Sequence, residues 1–142
     1  MAIVPFALEG AAAKLQALAD ERMQPDRLVA FPSDSAVGDL RLRQLPGKAL
    51  GACAWTAGVE LACYVERRFG KKLRGLRVLE LGSGTGVTAI ALARLGARVV
   101  ATDMLPDLVK LMEENIARAG LPCGRCRAAT FAWGERLHDL LS

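Results

Sequence analysis

The sequence predicts an α/β domain organised around a parallel sheet. One observation is the stretch from Val78 to Ala91, where apolar Val78, Leu79 and Leu81 run into a turn with Gly82, Gly84 and Gly86, and then into a helical pattern. A second is the order that follows, strand, helix, strand, helix, strand; strands separated by helices pair in parallel through right-handed crossovers. The third is composition. With 52% hydrophobic and 24% charged residues in 142, the chain has enough apolar surface to close one core.

The elements follow in order. Leu8, Ala12, Leu15, Leu18 and Ala19 recur at helical spacing and predict an amphipathic helix over 7–23, closed before Pro25. Gln24 to Ser35, with Pro25 and Pro32, reads as a loop around a short extended piece. Leu40-Arg41-Leu42-Arg43-Gln44-Leu45 alternates with period two, a short strand with its arginines on the wet face, and Pro46-Gly47 breaks it. A helix-and-loop segment over 1–37 therefore precedes a domain over 38–142.

Ala52 to Phe69 predicts a second helix, with Trp55, Val59, Ala62 and Cys63 on one face and Leu61, Val65 and Phe69 widening it. Gly70 suits its C-terminal cap, and Arg67, Arg68, Lys71 and Lys72 complement the negative helix end. Beyond the glycine turn, Thr85 to Leu95 is helical and Gly96 stops it. Arg98 to Thr102 is a second strand with Asp103 at its C-terminal end. Pro106 opens a helix whose Leu108, Leu111, Met112, Asn115, Ile116 and Ala119 share a face, and Gly120 ends it. Residues 125–132 supply another strand and Arg136 to Leu141 a short helix.

Several function classes drop out. No apolar run approaches the roughly 20 residues of a bilayer span, so no membrane partner is expected. The net charge of +4 comes from scattered residues rather than a dense basic stripe with interleaved aromatics, which weighs against nucleic acid. Cys123 and Cys126 have the spacing of half a zinc site, yet no second such pair completes a shell and His138 is the only histidine, so no metal is expected. Cys53 and Cys63 read as small core residues, and four reduced cysteines suit an intracellular protein. The first residues carry no basic region ahead of a long apolar stretch, and Glu9, Asp20 and Glu21 argue against a mitochondrial presequence; the cytoplasm is expected, with the nucleus second.

The glycine turn invites a nucleotide-like ligand, because it lets main chain approach closely and aims a helix N-terminus at the ligand. A P-loop requires Gly-Lys-Ser/Thr, and here Gly86 leads into Val87-Thr88. A dinucleotide fingerprint wants Gly or Ala where Val87 stands, and a branched side chain there obstructs close helix–strand contact. An NAD-dependent oxidoreductase, resting on Gly82, Gly84 and Asp103 alone, is therefore the weakest reading.

The run Glu80-x-Gly82-x-Gly84-x-Gly86 resembles the acidic-glycine motif of class I methyltransferases, which use S-adenosylmethionine. That cofactor carries no phosphate and needs no Lys; it needs acceptors for its ammonium and a carboxylate for its ribose. Asp103 stands where the ribose carboxylate belongs, at the tip of the second strand, although it also precedes Pro106 in the manner of a helix N-cap. Trp55 after Gly51-Ala52-Cys53-Ala54, the strand-like Leu40 to Gln44, Glu114-Asn115-Ile116 and Phe131-Ala132-Trp133-Gly134 extend the likeness over about residues 38–142. Together they resemble the seven-strand protein-lysine methyltransferases that modify chaperones and elongation factors. Thr56 departs from the Pro that commonly follows the first Trp in that family.

The resemblance implies a Rossmann-like methyltransferase fold, a protein substrate, and a cofactor set of Trp55, Glu80, Gly82, Ser83, Gly84, Thr85, Gly86, Asp103, Met104 and Trp133. Trp133 would lie on the adenine and Trp55 would approach the cofactor from the preceding helix. No catalytic residue is assigned. Family members continue from the second Trp into a fourth strand, bearing an acidic residue two places before a Tyr, and then into three more; residues 1–142 do not contain them. The edge of Val78 to Leu81 is then expected to be bare and apolar, covered by another chain or by self-association, or the mark of a shortened product. The alternative function is an inactive cofactor-binding or assembly module.

Overall fold

The computed structural model describes residues 6–141. Its centre is a parallel sheet in the order β3 (Arg77–Leu81), β4 (Arg98–Asp103), β5 (Cys126–Thr130), with Leu81 opposite Thr102 and Asp103 opposite Thr130. Helices follow each strand: α3 (Val87–Arg94), α4 (Pro106–Arg118) and α5 (Leu137–Leu141). Gly96 after α3 and Gly120 after α4 both have positive φ, so each helix stops where a residue without Cβ can reverse the chain. Ahead of the sheet lie α1 (Phe6–Arg22), an antiparallel hairpin of β1 (Asp26–Val29) and β2 (Leu40–Arg43), a 3₁₀ turn at Leu50–Ala52, and α2 (Thr56–Phe69). The α/β class and the parallel sheet expected from the sequence are both present.

Strand alternation divides the sheet into two faces. Val78, Val99, Ala101, Cys126 and Ala128 meet Ala89, Leu92, Ala93, Val109 and Met112 of α3 and α4. The other side of α3 packs on the hairpin and α2, where Ile90 and Ala91 meet Leu40, Leu42, Ala54 and Ala62. Every residue of α3 from Val87 to Ala93 is buried, so the helix is wrapped on both sides and its alanines let both layers come close. Gly58 in the first turn of α2 belongs to the same packing. A Cβ there would run into the Val87 side chain, so a residue that weakens a helix is what lets α2 seat against α3. Val87 is accommodated by Gly58 instead of pressing the strand, as the fingerprint argument had supposed.

The second face is open. Leu79 and Val100 lie there between Arg77 and Arg127, over a depression of about 440 Å³, and α5 is tied to it where Arg127 donates to the Leu140 carbonyl at 2.7 Å. Among the described residues β3 pairs with β4 alone, and Leu81 is 48% exposed, which matches the bare edge expected from the sequence.

Two buried amides tie the layers together. The Asn115 side chain accepts from Arg43 N–H at 2.7 Å and donates to the carbonyls of Arg43 at 3.0 Å and Thr85 at 2.9 Å, joining α4 to β2 and to the glycine turn. The Gln44 amide donates to the Glu21 and Gln24 carbonyls and accepts from Ala54 N–H at 2.7 Å, joining the end of α1, the start of β1 and the chain before α2. Both side chains are fully buried and paired, as burial demands.

Three expectations change. The N-terminal helix is present, but Leu15 and Leu18 are exposed, and among the described residues α1 bonds to the rest of the fold at its last turn, where Glu21 and Arg22 meet Arg27, Gln44 and Cys53; the side chains of Leu8 and Ala12 lie outside the described residues. The second helix starts at Thr56, four residues late, since the Leu50–Ala52 turn and extended Cys53 and Trp55 precede it; Trp55 stands before the helix rather than on its face. Leu61 and Phe69 are exposed, so the buried face of α2 is narrower than predicted. No helix among the described residues is long and apolar enough to cross a membrane.

Asn115→Ala should cost about 3 kcal/mol, because it strands the Arg43 N–H and two carbonyls inside the core. A shift of the urea midpoint at unchanged slope would register it, and a midpoint equal to wild type would remove Asn115 from this role.

Candidate functional site

The site starts at the C-terminal end of β3. Gly82, Gly84 and Gly86 have φ of 69°, 55° and 83°, so the turn needs three left-handed residues and uses glycine at each. Ser83 N–H donates to Thr102 O at 2.8 Å, splicing the turn onto β4, and Gly86 N–H closes it on Ser83 O at 2.8 Å. Asp103, at the tip of β4, accepts from Gly84 N–H on Oδ2 and from Leu105 N–H on Oδ1, both at 3.2 Å. Helix α4 begins after Leu105 with no side-chain cap, so Asp103 braces the glycine turn and is not the N-cap that its sequence position allowed.

The Leu50–Ala52 turn comes down onto this loop. A Cβ at Gly84 would fall 2.5 Å from Gly51 O, and one at Gly51 would fall 2.8 Å from Leu108 Cδ1. Trp55 holds the turn from the other side, its indole N–H donating to Leu50 O at 2.8 Å, while the Arg22 guanidinium stands 4.4 Å over its ring.

Between these elements lies a cleft of about 290 Å³ whose lining includes Gly51, Cys53, Trp55, Gly58, Glu80 and the turn from Gly82 to Thr85. Gly82 has open space where a Cβ would stand. Glu80 is the charged group of the cleft. Burial pushes its carboxyl up to about 7, against the opposing pull of Ser83, Thr88 and the Ala89 N–H. Its Oε2 is buried and has no hydrogen-bond partner among the described residues. An unpaired acceptor of this kind, in a cleft walled by the glycine turn, one indole and the apolar Leu61, Leu81 and Val87, suits a cation attached to a compact apolar body.

Six of the sequence-predicted residues converge here: Trp55, Glu80, Gly82, Ser83, Gly84 and Thr85. Asp103 lies directly behind Gly84, mostly buried. Gly86 faces Met112, whose Cγ would stand 3.4 Å from a Cβ, and it lies outside the cleft lining. Met104 and Trp133 are 63% and 79% exposed at the C-terminal ends of β4 and β5, outside the cleft lining. The sequence reading passed over Gly51, Gly58 and Gln44. Gln44 had a signal, since Leu40, Leu42 and Gln44 share one face of a period-two pattern and an amide there needs buried partners. The CxxC pair divides, with Cys123 exposed and Cys126 in the core, its thiol pushed up to about 12 by burial and by Glu80.

Residues 35–142 match the model of a family described as lysine methyltransferase. EEF1A lysine methyltransferase 3 of Mus musculus is 35% identical over 102 residues, covering 70% of this chain and 43% of that protein. Protein N-lysine methyltransferase METTL21A of Danio rerio is 42% identical over 96 residues, covering 63% of this chain and 42% of that one. The chain thus spans less than half the length of these relatives. Among solved structures, a SAM-dependent methyltransferase from Agrobacterium tumefaciens superposes with a TM-score of 0.57 at 20% identity, over 75% of this chain and 32% of that one, a likeness of fold.

The two glycines of the turn should respond differently to a methyl group. Gly82→Ala meets open space and should cost about 1 kcal/mol for its left-handed backbone, whereas Gly84→Ala must also displace Gly51 and should cost about 3 kcal/mol or more. Urea midpoints measure both, and equal costs would disprove the packing of the Leu50–Ala52 turn on Gly84.

Proposed function

The chain belongs to the lysine methyltransferase family, and on that premise we propose that it forms the cofactor-binding part of a protein-lysine N-methyltransferase. The methyl donor of that chemistry is S-adenosylmethionine. The observation that carries the reading is Glu80, a buried carboxylate with one unpartnered oxygen in a glycine-walled cleft.

The fit can be argued group by group. The cofactor's ammonium is the cation that Glu80 lacks, and Gly82 leaves room for the methionine chain to lie against the main chain. Asp103 would accept the ribose hydroxyls. Its oxygens already hold two N–H groups, but a carboxylate has about four acceptor sites and can add these. The adenine would then lie toward Met104 and Trp133, whose exposed indole has a free face to stack. Trp55 would close the methionine end.

Methyl transfer requires in-line attack by a neutral amine on the sulfonium methyl. A lysine with an ordinary pKa of ~10.4 must first lose its proton, helped by desolvation, and the enzyme then mainly aligns the reacting atoms. No residue of this chain is assigned to hold that amine. The second reading is a cofactor-binding module without turnover.

Calorimetry with S-adenosylhomocysteine and with NAD tests the cofactor, and transfer of labelled methyl to a lysine-containing protein mixture separates enzyme from module. Binding of NAD alone would overturn the proposal.

Glu80 makes the binding pH-dependent. In the unliganded chain its carboxyl titrates at about 7, above its ordinary 4.5, so the folded state keeps a proton that the unfolded state has lost. Stability should therefore fall as pH rises from about 4.5 through about 7, and Glu80→Gln should remove that slope. An ammonium favours the ionised carboxylate, so homocysteine-cofactor affinity should rise over the same window with proton release. A flat affinity profile would remove Glu80 as the ammonium acceptor.

A further inference from the structure

A second hollow, of about 440 Å³, opens between β1 and the first turn of α2 and shares Trp55 with the cofactor cleft. Its floor is apolar, with Val29, Phe31 and Ala54 buried beneath it. Three features say what it is shaped to take.

The first is a free strand edge. Among the described residues β1 pairs with β2 alone, and Gln44 N–H to Pro25 O at 2.7 Å sets the phase of the ladder. By antiparallel alternation, Arg27 and Val29 bond toward β2, and the N–H and C=O of Leu28 face the open side. The second is Arg27. Its guanidinium donates to Ala54 O at 2.6 Å and Glu21 at 2.8 Å, yet its Nε is buried with no acceptor among the described residues. A main-chain carbonyl is the neutral acceptor such a donor lacks. The third is charge. Glu21 is neutralised by Arg27, which leaves exposed Glu60 as the uncompensated charge of the lining, in a chain of net +4.

We propose that this hollow docks an extended, lysine-bearing segment of the acceptor protein, which adds as a strand to the edge of β1 and reaches the cofactor cleft past Trp55. Strand addition supplies main-chain hydrogen bonds through Leu28, with a carbonyl of the segment on Arg27 Nε. Glu60 selects basic side chains and repels acidic ones and phosphates. That the segment carries a methyl-accepting lysine rests on the methyltransferase reading; that an extended basic segment binds here does not.

The test is fluorescence anisotropy of the purified chain with a nine-residue peptide of alternating Val and Lys, against a Val–Glu peptide and a single-stranded oligonucleotide. The Val–Lys peptide should bind best. Glu60→Lys should weaken it about tenfold. Leu28→Pro should do the same by removing an N–H that faces away from β2, a position where an edge strand tolerates proline. Homocysteine-cofactor affinity should be unchanged in both variants, and it also reports whether each remains folded. Equal or tighter binding of the acidic peptide or the oligonucleotide, no peptide binding, or peptide binding that Glu60→Lys leaves unmoved would each overturn the proposal. If the wild-type chain binds the peptide in this pattern but no adenosyl cofactor, the methyltransferase reading fails and the groove stands. The reverse pattern sinks the groove alone.

Discussion

The Gly51 carbonyl and the Gly84 α-carbon stand too close for any side chain between them, and the site is assembled outward from that contact. Each partner is held from behind. Asp103 fixes Gly84 through its N–H, and the Trp55 indole fixes Leu50 through its carbonyl. Gln44 then fixes Ala54 beside Trp55, and Asn115 fixes Thr85 beside Gly84. Four polar side chains from four parts of the chain thus converge on one close approach of main chain to main chain. None supplies a large apolar area; their effect is to set the register between the hairpin layer and the sheet, which the apolar layers alone would leave loose.

The apolar packing is permissive in the same sense. α3 sits between sheet and hairpin on small residues, and Gly58 gives up helix propensity so that α2 can reach Val87. Glu80 runs against stability. A carboxyl held half-protonated near neutrality, with an oxygen left unpaired, weakens the empty fold. Such a residue is retained where a ligand completes it, and a buried acceptor left unpaired at the edge of a cleft is where a cation would be held.

What was legible in the residues was local. The glycine turn, the strand–helix alternation and the place of Asp103 follow from spacing that a few neighbouring residues reveal, and the structure has all three. The rest depends on contacts between distant parts of the chain. Nothing near Gly51 announces that it meets Gly84, and helical spacing placed Trp55 on a face that the chain reaches only after an extended detour. Periodicity likewise drew α1 as amphipathic, but the spacing of Leu15 and Leu18 says nothing of what stands opposite them, and both are exposed. Met104 and Trp133 stand exposed at strand ends, outside the cleft lining, and no spacing in the sequence says how far from the cleft the chain would set them.

Trp55 gives the architecture a consequence that neither hollow has alone. Its ring walls the cofactor cleft and the groove beside β1, and its N–H holds the turn that packs on Gly84. A ligand that moves the Leu50–Ala52 turn therefore moves the wall of the groove as well. Linkage makes the effect reciprocal: whatever free energy cofactor binding lends to an occupant of the groove, that occupant returns to the cofactor.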